Sequence, residues 1–240
     1  MRAKLSHAWN LTPTEARALQ ERLAAKLTSG PRPEPLRLVA GADVAYDQTA
    51  GLAAGGVVVW DAAAGRVVEQ ALAVHPIDFP YLSGLLTFRE GPALLAALER
   101  LESRPEVILF DGQGQAHPRR LGLAAHLGVL LDCPTIGCAK SRLFGQPSEP
   151  GLEKGCQAEL RHPDGGRIIG RLVRTRTNVK PVYVSPGHKA ELDWAVRLVL
   201  DLAARYRLPE PIRAAHRLVT KARAAGLRTG MTRSFFEANV

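Results

Sequence analysis

A chain of 240 residues can bury one large core or two small ones. Its 46% hydrophobic content is ordinary for a globular protein, and no apolar run reaches the length of a membrane-spanning helix. The formal charge of +9 attracts polyanions such as nucleic acid, while an aromatic share of 5% excludes a binding module built on rows of base-stacking rings.

The amino-terminal residues Met1-Arg2-Ala3-Lys4 run into polar sequence with no apolar signal segment. This predicts a cytoplasmic protein without a membrane partner, with Cys133, Cys138 and Cys156 as free thiols. Thr12-Pro13-Thr14-Glu15 then opens a helix: Thr12 caps it, Pro13 suits the first turn and Glu15 completes a capping box. Leu19, Leu23 and Leu27 give that helix an apolar stripe, and the proline-rich stretch from Pro31 to Pro35 ends it.

Three strands are predicted next, over Leu36 to Tyr46, Gly56 to Trp60 and Arg66 to Val74, the last two joined by a turn from Asp61 to Gly65. A helix fits Phe88 to Leu101, and Val107 to Phe110 reads as a strand buried on both faces. A helix over Arg120 to Leu130 and a buried strand over Pro134 to Cys138 follow. After a turn at Asp164-Gly165-Gly166 come a strand from Arg167 to Val173 and another ending at Tyr183 and Val184. Helices over Ala190 to Tyr206 and Pro211 to Ala225 close the pattern. The order predicts an α/β fold with an antiparallel opening meander and a parallel second half, its ligand site at the strand ends near the topological switch.

Asp43 interrupts an apolar strand, where an unpartnered carboxylate is expensive. Asp111 follows four apolar residues, where a buried strand delivers a side chain to the sheet edge. Glu90 has two readings. Thr87-Phe88-Arg89-Glu90 fits a capping box, and a third acid beside the other two suits Mg²⁺ or Mn²⁺. Asp43 and Asp111 also admit plain structural roles. A cation held there polarises a phosphate and activates water.

The loop Phe79-Pro80-Tyr81-Leu82-Ser83-Gly84 places an aromatic ring where it either wedges between bases or packs on the core. His117, Arg119 and Arg120 crowd the segment after Asp111, next to a predicted helix start whose dipole favours phosphate. Lys140 follows a buried strand and is either a phosphate partner or a solvated lysine. In the last helix His216 falls one turn after Ile212, a spacing that allows it to face the acids.

The segments VAGADVAY, FPYLSGLLTFREGPALL, FDGQGQAHPRRLGLAAHLG, PTIGCAKSRLFG and YRLPEPIRAAH together resemble the bacterial endonuclease V family, the deoxyinosine 3′ endonucleases. The likeness runs from about Leu36 to Lys221. It implies a ribonuclease-H-like fold and Mg²⁺-dependent hydrolysis, with Mn²⁺ able to substitute, of the second phosphodiester bond 3′ to deoxyinosine. The products carry 3′-hydroxyl and 5′-phosphate ends. It also implies a monomer acting on single- or double-stranded DNA, with residues 1–240 as one catalytic domain and residues 1–35 as its amino-terminal helix and linker.

By the same resemblance Asp43, Glu90 and Asp111 hold the metal, and Tyr81 is the wedge, flanked by Pro80 and Leu82. His117 and Lys140 lie on the phosphate side, and His216 is the late histidine of the site. Gly84, Leu86, Gly112, Gly122, Gly137 and Leu143 form the pocket for the flipped hypoxanthine. Two positions depart from the pattern. Ser83 stands where the family carries proline, which predicts a looser wedge, and Gln113 stands where it carries a histidine that can titrate. The rival readings are an inosine-directed ribonuclease or ribonuclease-H-like hybrid nuclease, and a non-catalytic nucleic-acid-binding protein.

Overall fold

Alternation along the first strand, β1 (Leu38–Asp47), sorts its side chains onto two faces of a central sheet. Ala40 and Ala42 join one apolar cluster and Val39 another. The computed structural model, which describes residues 1–230, continues β1 into an antiparallel meander with β2 (Leu52–Asp61) and β3 (Arg66–Pro76). On the other side of β1 lie β4 (Val107–Phe110) and β5 (Thr135–Ala139), both parallel to it. The remaining strands are β6 (Gln146–Pro147), β7 (Gln157–Arg161), β8 (Ile168–Val173) and β9 (Val182–Pro186). The sheet order is β3-β2-β1-β4-β5-β9-β8-β7-β6.

The expected mixed sheet with its opening meander is present, but the second half is parallel only through β4 and β5. Beyond β5 every pairing is antiparallel. The strands β6 and β7 were not predicted because their polar side chains are mostly exposed or half-buried and give no apolar alternation.

Helices cover both faces. One layer holds α1 (Pro13–Ala24), α2 (Leu86–Leu98) and α3 (Leu123–Leu131), packed around Phe88, Leu94, Phe110 and Leu127. The other holds α4 (Leu192–Leu202) and α5 (Glu210–Ala224). The Thr12–Glu15 capping box forms as predicted, but α1 ends at Ala24, so Leu27 packs from outside the helix. On the second face Ala214, Ala215 and Leu218 of α5 lie on Ala45, Ala54 and Val58. Gly41 permits this approach: a Cβ there would lie 2.1 Å from the Pro211 carbonyl carbon. Any side chain at 41 would push the start of α5 off the sheet, and with it His216.

Candidate active site

In the parallel pair β1 and β4, Ala42 lies beside Phe110, so the next residues, Asp43 midway along β1 and Asp111 just past the end of β4, emerge side by side. The Asp111 amide donates to the Ala42 carbonyl at 3.2 Å and fixes that register. Strand alternation turns both carboxylates toward the layer that carries α5. Asp43 accepts from the Val44 amide at 2.8 Å and from His216 Nδ1 at 2.7 Å. Asp111 pairs with the Lys140 ammonium. Burial and the neighbouring Asp111 charge hold the Asp43 carboxyl above its ordinary range, opposed by the His216 hydrogen bond.

Glu90 comes from α2, and the capping reading fails there. The helix begins at Leu86 with Leu85 as an N-cap that makes no side-chain bond, so Thr87 lies within the first turn. Glu90 instead accepts from the Tyr46 hydroxyl at 2.8 Å. Burial pushes its carboxyl up to about 8; the Tyr46 bond opposes the shift and the Asp43 and Asp111 charges add to it. Asp43, Glu90 and Asp111 line one cavity of about 490 Å³. As placed, no three His, Cys, Asp or Glu side chains among the described residues converge on a single point. Even so, three mostly buried, mutually repelling carboxylates in one cavity make a donor set suited to a hard divalent cation.

The 79–84 loop is clamped at both ends. Arg89 donates to the Phe79 carbonyl at 2.7 Å. The Gly84 carbonyl accepts from His117 Nε2 at 2.9 Å and from Arg119 Nη2 and Gln20 Nε2, each at 3.1 Å. Phe79 and Leu85 are buried, whereas Tyr81 between them is 72% exposed, which rules out core packing for its ring. Pro80 is exposed and Leu82 packs against the core.

His117 corrects the expectation of a phosphate contact. It is buried, Nε2 binds Gly84, and Nδ1 accepts from the Arg119 amide at 3.1 Å. Burial pushes its ring down to about 4, so it is neutral near pH 7. Its role in the structure is to anchor the loop. His117→Ala should therefore lower stability by about 2 kcal/mol through a lost bond and a small void. A calorimetric melt checks this; an unchanged melting temperature would restore the surface reading.

The cavity wall includes Tyr81, Leu82, Gly84, Leu86, Gly112, Lys140 and Leu143. Gly122 and Gly137 are not in it. A Cβ on Gly137 would lie 2.3 Å from the Gly114 nitrogen, and one on Gly122 would lie 2.5 Å from the Gln113 carbonyl oxygen. Both glycines pack tightly against the 112–114 loop, whose Gly112 and Gln113 line the cavity. The predicted helix start near Arg119 also shifts. Arg120 has φ 56°, α3 begins at Leu123, and the Gly122 and Ala124 amides already donate to Gly114 and Gln113 carbonyls at 2.9 and 3.0 Å. These amides are thus committed to the loop rather than to a phosphate. Gln113 Nε2 donates to the Ser141 carbonyl at 2.9 Å, tying this loop to the Lys140 segment.

Comparison with known proteins agrees with this geometry. The family model for endonuclease V matches residues 20–217. The chain belongs to the endonuclease V family. An endonuclease V from Methanothrix thermoacetophila is 47% identical over 92% of this chain and 96% of its own length. One from Myxococcus xanthus is 48% identical over 90% of this chain and 92% of its own. The crystal structure of the Streptomyces avermitilis endonuclease V is 43% identical and superposes with a TM-score of 0.86 over 94% of this chain and 99% of that one. A Ciona intestinalis endonuclease V, solved with a 23-mer DNA containing an inosine followed by a ribo-adenosine, is 29% identical. Its TM-score is 0.80, over 90% of this chain and 99% of that one. The ribonuclease-H-like mixed sheet is thus the endonuclease V fold.

Three residues that hold parts of this candidate site were not singled out from sequence. Tyr46 holds Glu90, Gln20 reaches Gly84 from α1, and Arg207 Nη2 donates to the Lys140 carbonyl at 2.6 Å. Their partners lie 44 to 67 residues away, beyond any local motif.

Proposed function

We propose that the protein is a metal-dependent endonuclease that hydrolyses the second phosphodiester bond 3′ to deoxyinosine in single- or double-stranded DNA, leaving 3′-hydroxyl and 5′-phosphate ends. The observation that carries this reading is the Asp43–Asp111 pair, side by side on adjacent parallel strands where β4 ends, in one cavity with Glu90 and beside an exposed, clamped Tyr81. The reading takes the chain as a cytoplasmic monomer with one catalytic domain. No helix among the described residues is long and apolar enough to cross a membrane. The domain reading spans 1–240, of which 231–240 lie outside the described residues.

Hypoxanthine pairs weakly, so extruding it costs less than extruding a normal base. Tyr81 is free to enter the stack while Arg89, His117, Arg119 and Gln20 keep its loop from yielding. The cavity receives the flipped base beside Gly84, Leu86, Gly112 and Leu143. Asp43, Glu90 and Asp111 would hold Mg²⁺, with Mn²⁺ as a substitute. When bound, the ion supplies Lewis acidity at the scissile phosphate and stabilises charge on the leaving 3′ oxygen. Lys140 brings a cation to the same phosphate, its backbone fixed by Arg207. His216 bonds Asp43 through Nδ1, which leaves Nε2 to the substrate.

The test is cleavage of matched DNA and RNA strands, each with and without one inosine, in Mg²⁺. Inosine DNA should be cut and its adenine control spared. Faster cutting of inosine RNA would move the assignment to a ribonuclease, and equal cutting of the adenine control would overturn it. On the same substrates Tyr81→Ala should weaken binding about tenfold more for duplex than for single strands, because only the duplex must be unstacked. Equal losses in a binding titration would reduce Tyr81 to a contact residue.

A further inference from the structure

A second concavity, of about 400 Å³, opens beside the acids. Lys140 and His216 line it together with four arginines, and no carboxylate does. Two of the arginines are committed to the fold. Arg207 donates to the Lys140, Lys180 and Pro181 carbonyls, and Arg213 pairs with Glu210 and lies 3.2 Å from the centre of the Tyr206 ring. The other two, Arg176 and Arg217, are exposed and pair with no carboxylate among the described residues. Two guanidiniums that pair with no carboxylate, lining one concavity with Lys140, leave it positively charged and suited to an anion. Their forked donors match phosphate oxygens.

This pocket is contiguous with the base cavity. Lys140 lines both, and His216 lines one while bonding Asp43 in the wall of the other. A strand with its base in the first cavity and its scissile phosphate at Asp43 and Asp111 continues over Lys140 and His216. We propose that the pocket binds the backbone phosphate next beyond the scissile bond on its 3′ side, with Arg176 and Arg217 as positioning residues. The assignment of polarity rests on the proposed cut 3′ to deoxyinosine. The pocket thereby lays the 3′-side strand, which keeps the 5′-phosphate, along the catalytic acids, and cleavage depends on the length of the 3′ flank.

The experiment uses the full chain in Mg²⁺ and single-stranded inosine oligonucleotides with one constant 5′ flank. The 3′ flank either stops at the nucleoside directly after the scissile phosphate or runs four nucleotides further. Single-turnover rates are measured at subsaturating enzyme, alongside adenine controls of each length. Trimming should slow the parent by about thirtyfold, about tenfold or less per lost arginine contact. Arg176→Ala/Arg217→Ala should be slowed similarly on the long substrate and respond little to trimming, since the two changes remove one interaction. Arg217→Lys, which keeps the charge, should lose less than Arg217→Ala. A parent indifferent to trimming, or a variant slowed equally on both lengths, would overturn the pocket assignment while inosine preference persists. Loss of inosine preference in the parent itself would instead overturn the function on which the proposal rests.

Discussion

Asp43→Asn should reduce Mg²⁺-dependent cleavage by about 10³-fold or more while leaving affinity for inosine DNA in EDTA within about threefold of the parent. Asparagine fits the same space, and its carbonyl oxygen still accepts the Val44 amide that Asp43 holds at 2.8 Å. It loses the charge, and its amide nitrogen, now facing His216, donates to Nδ1 once the ring proton moves to Nε2. That charge costs stability in the free protein, because burial and Asp111 both oppose ionisation of Asp43. The mutant should therefore melt no lower than the parent in EDTA. Lost activity without lost stability separates a ligand from a structural acceptor, whose removal would lower both together. The measurements are single-turnover cleavage across a Mg²⁺ titration, fluorescence anisotropy with inosine DNA in EDTA, and calorimetry. A folded mutant that cleaves at near the parent rate would remove Asp43 from the metal set.

The parts of this site legible in the sequence are those set by short-range backbone geometry. Val107 to Phe110 are uniformly apolar because β4 is covered on both faces, and the next residue, Asp111, must leave the sheet at its end. Asp43 stood out for the same reason within β1. His117 was misread because its environment is built from elsewhere: Gln20 of α1 and the Gly84 carbonyl close over that segment, making a buried anchor of a histidine in a basic run. Gly122 and Gly137 have the small size expected of a base pocket, yet their neighbours are backbone atoms of the 112–114 loop. Composition records that a close approach occurs, not which partner makes it. The capping-box pattern at Thr87 fails for a related reason. Buried Leu85, next to the anchored Gly84, starts the helix two residues earlier than the motif alone predicts.

Glu90→Gln should abolish detectable Mg²⁺-dependent cleavage, a loss of about 10³-fold, and at the same time raise stability at alkaline pH in EDTA. Glutamine keeps an oxygen for the Tyr46 hydroxyl, which Glu90 now accepts at 2.8 Å, so packing and that hydrogen bond survive. The stability effect follows from linkage. The folded carboxyl titrates near 8, held up chiefly by burial, whereas an unfolded glutamate ionises at its ordinary value near 4.5. Below about pH 4.5 both states are protonated and Glu90 carries no penalty. As pH rises toward 8 the unfolded chain releases its proton first, so the parent is progressively destabilised, by a few kcal/mol in all. Glutamine never ionises and escapes this loss. The two proteins should therefore melt together near pH 4.5 and diverge by pH 8.5, with the mutant higher. Divalent metal should narrow the gap by stabilising the parent alone, since the ion favours the charged carboxylate. The measurement is a pair of melts at each pH, with EDTA and with Mg²⁺, beside single-turnover cleavage of an inosine duplex. A mutant less stable at both pH values that still cleaves at near the parent rate would leave Glu90 as a structural partner of Tyr46 and nothing more.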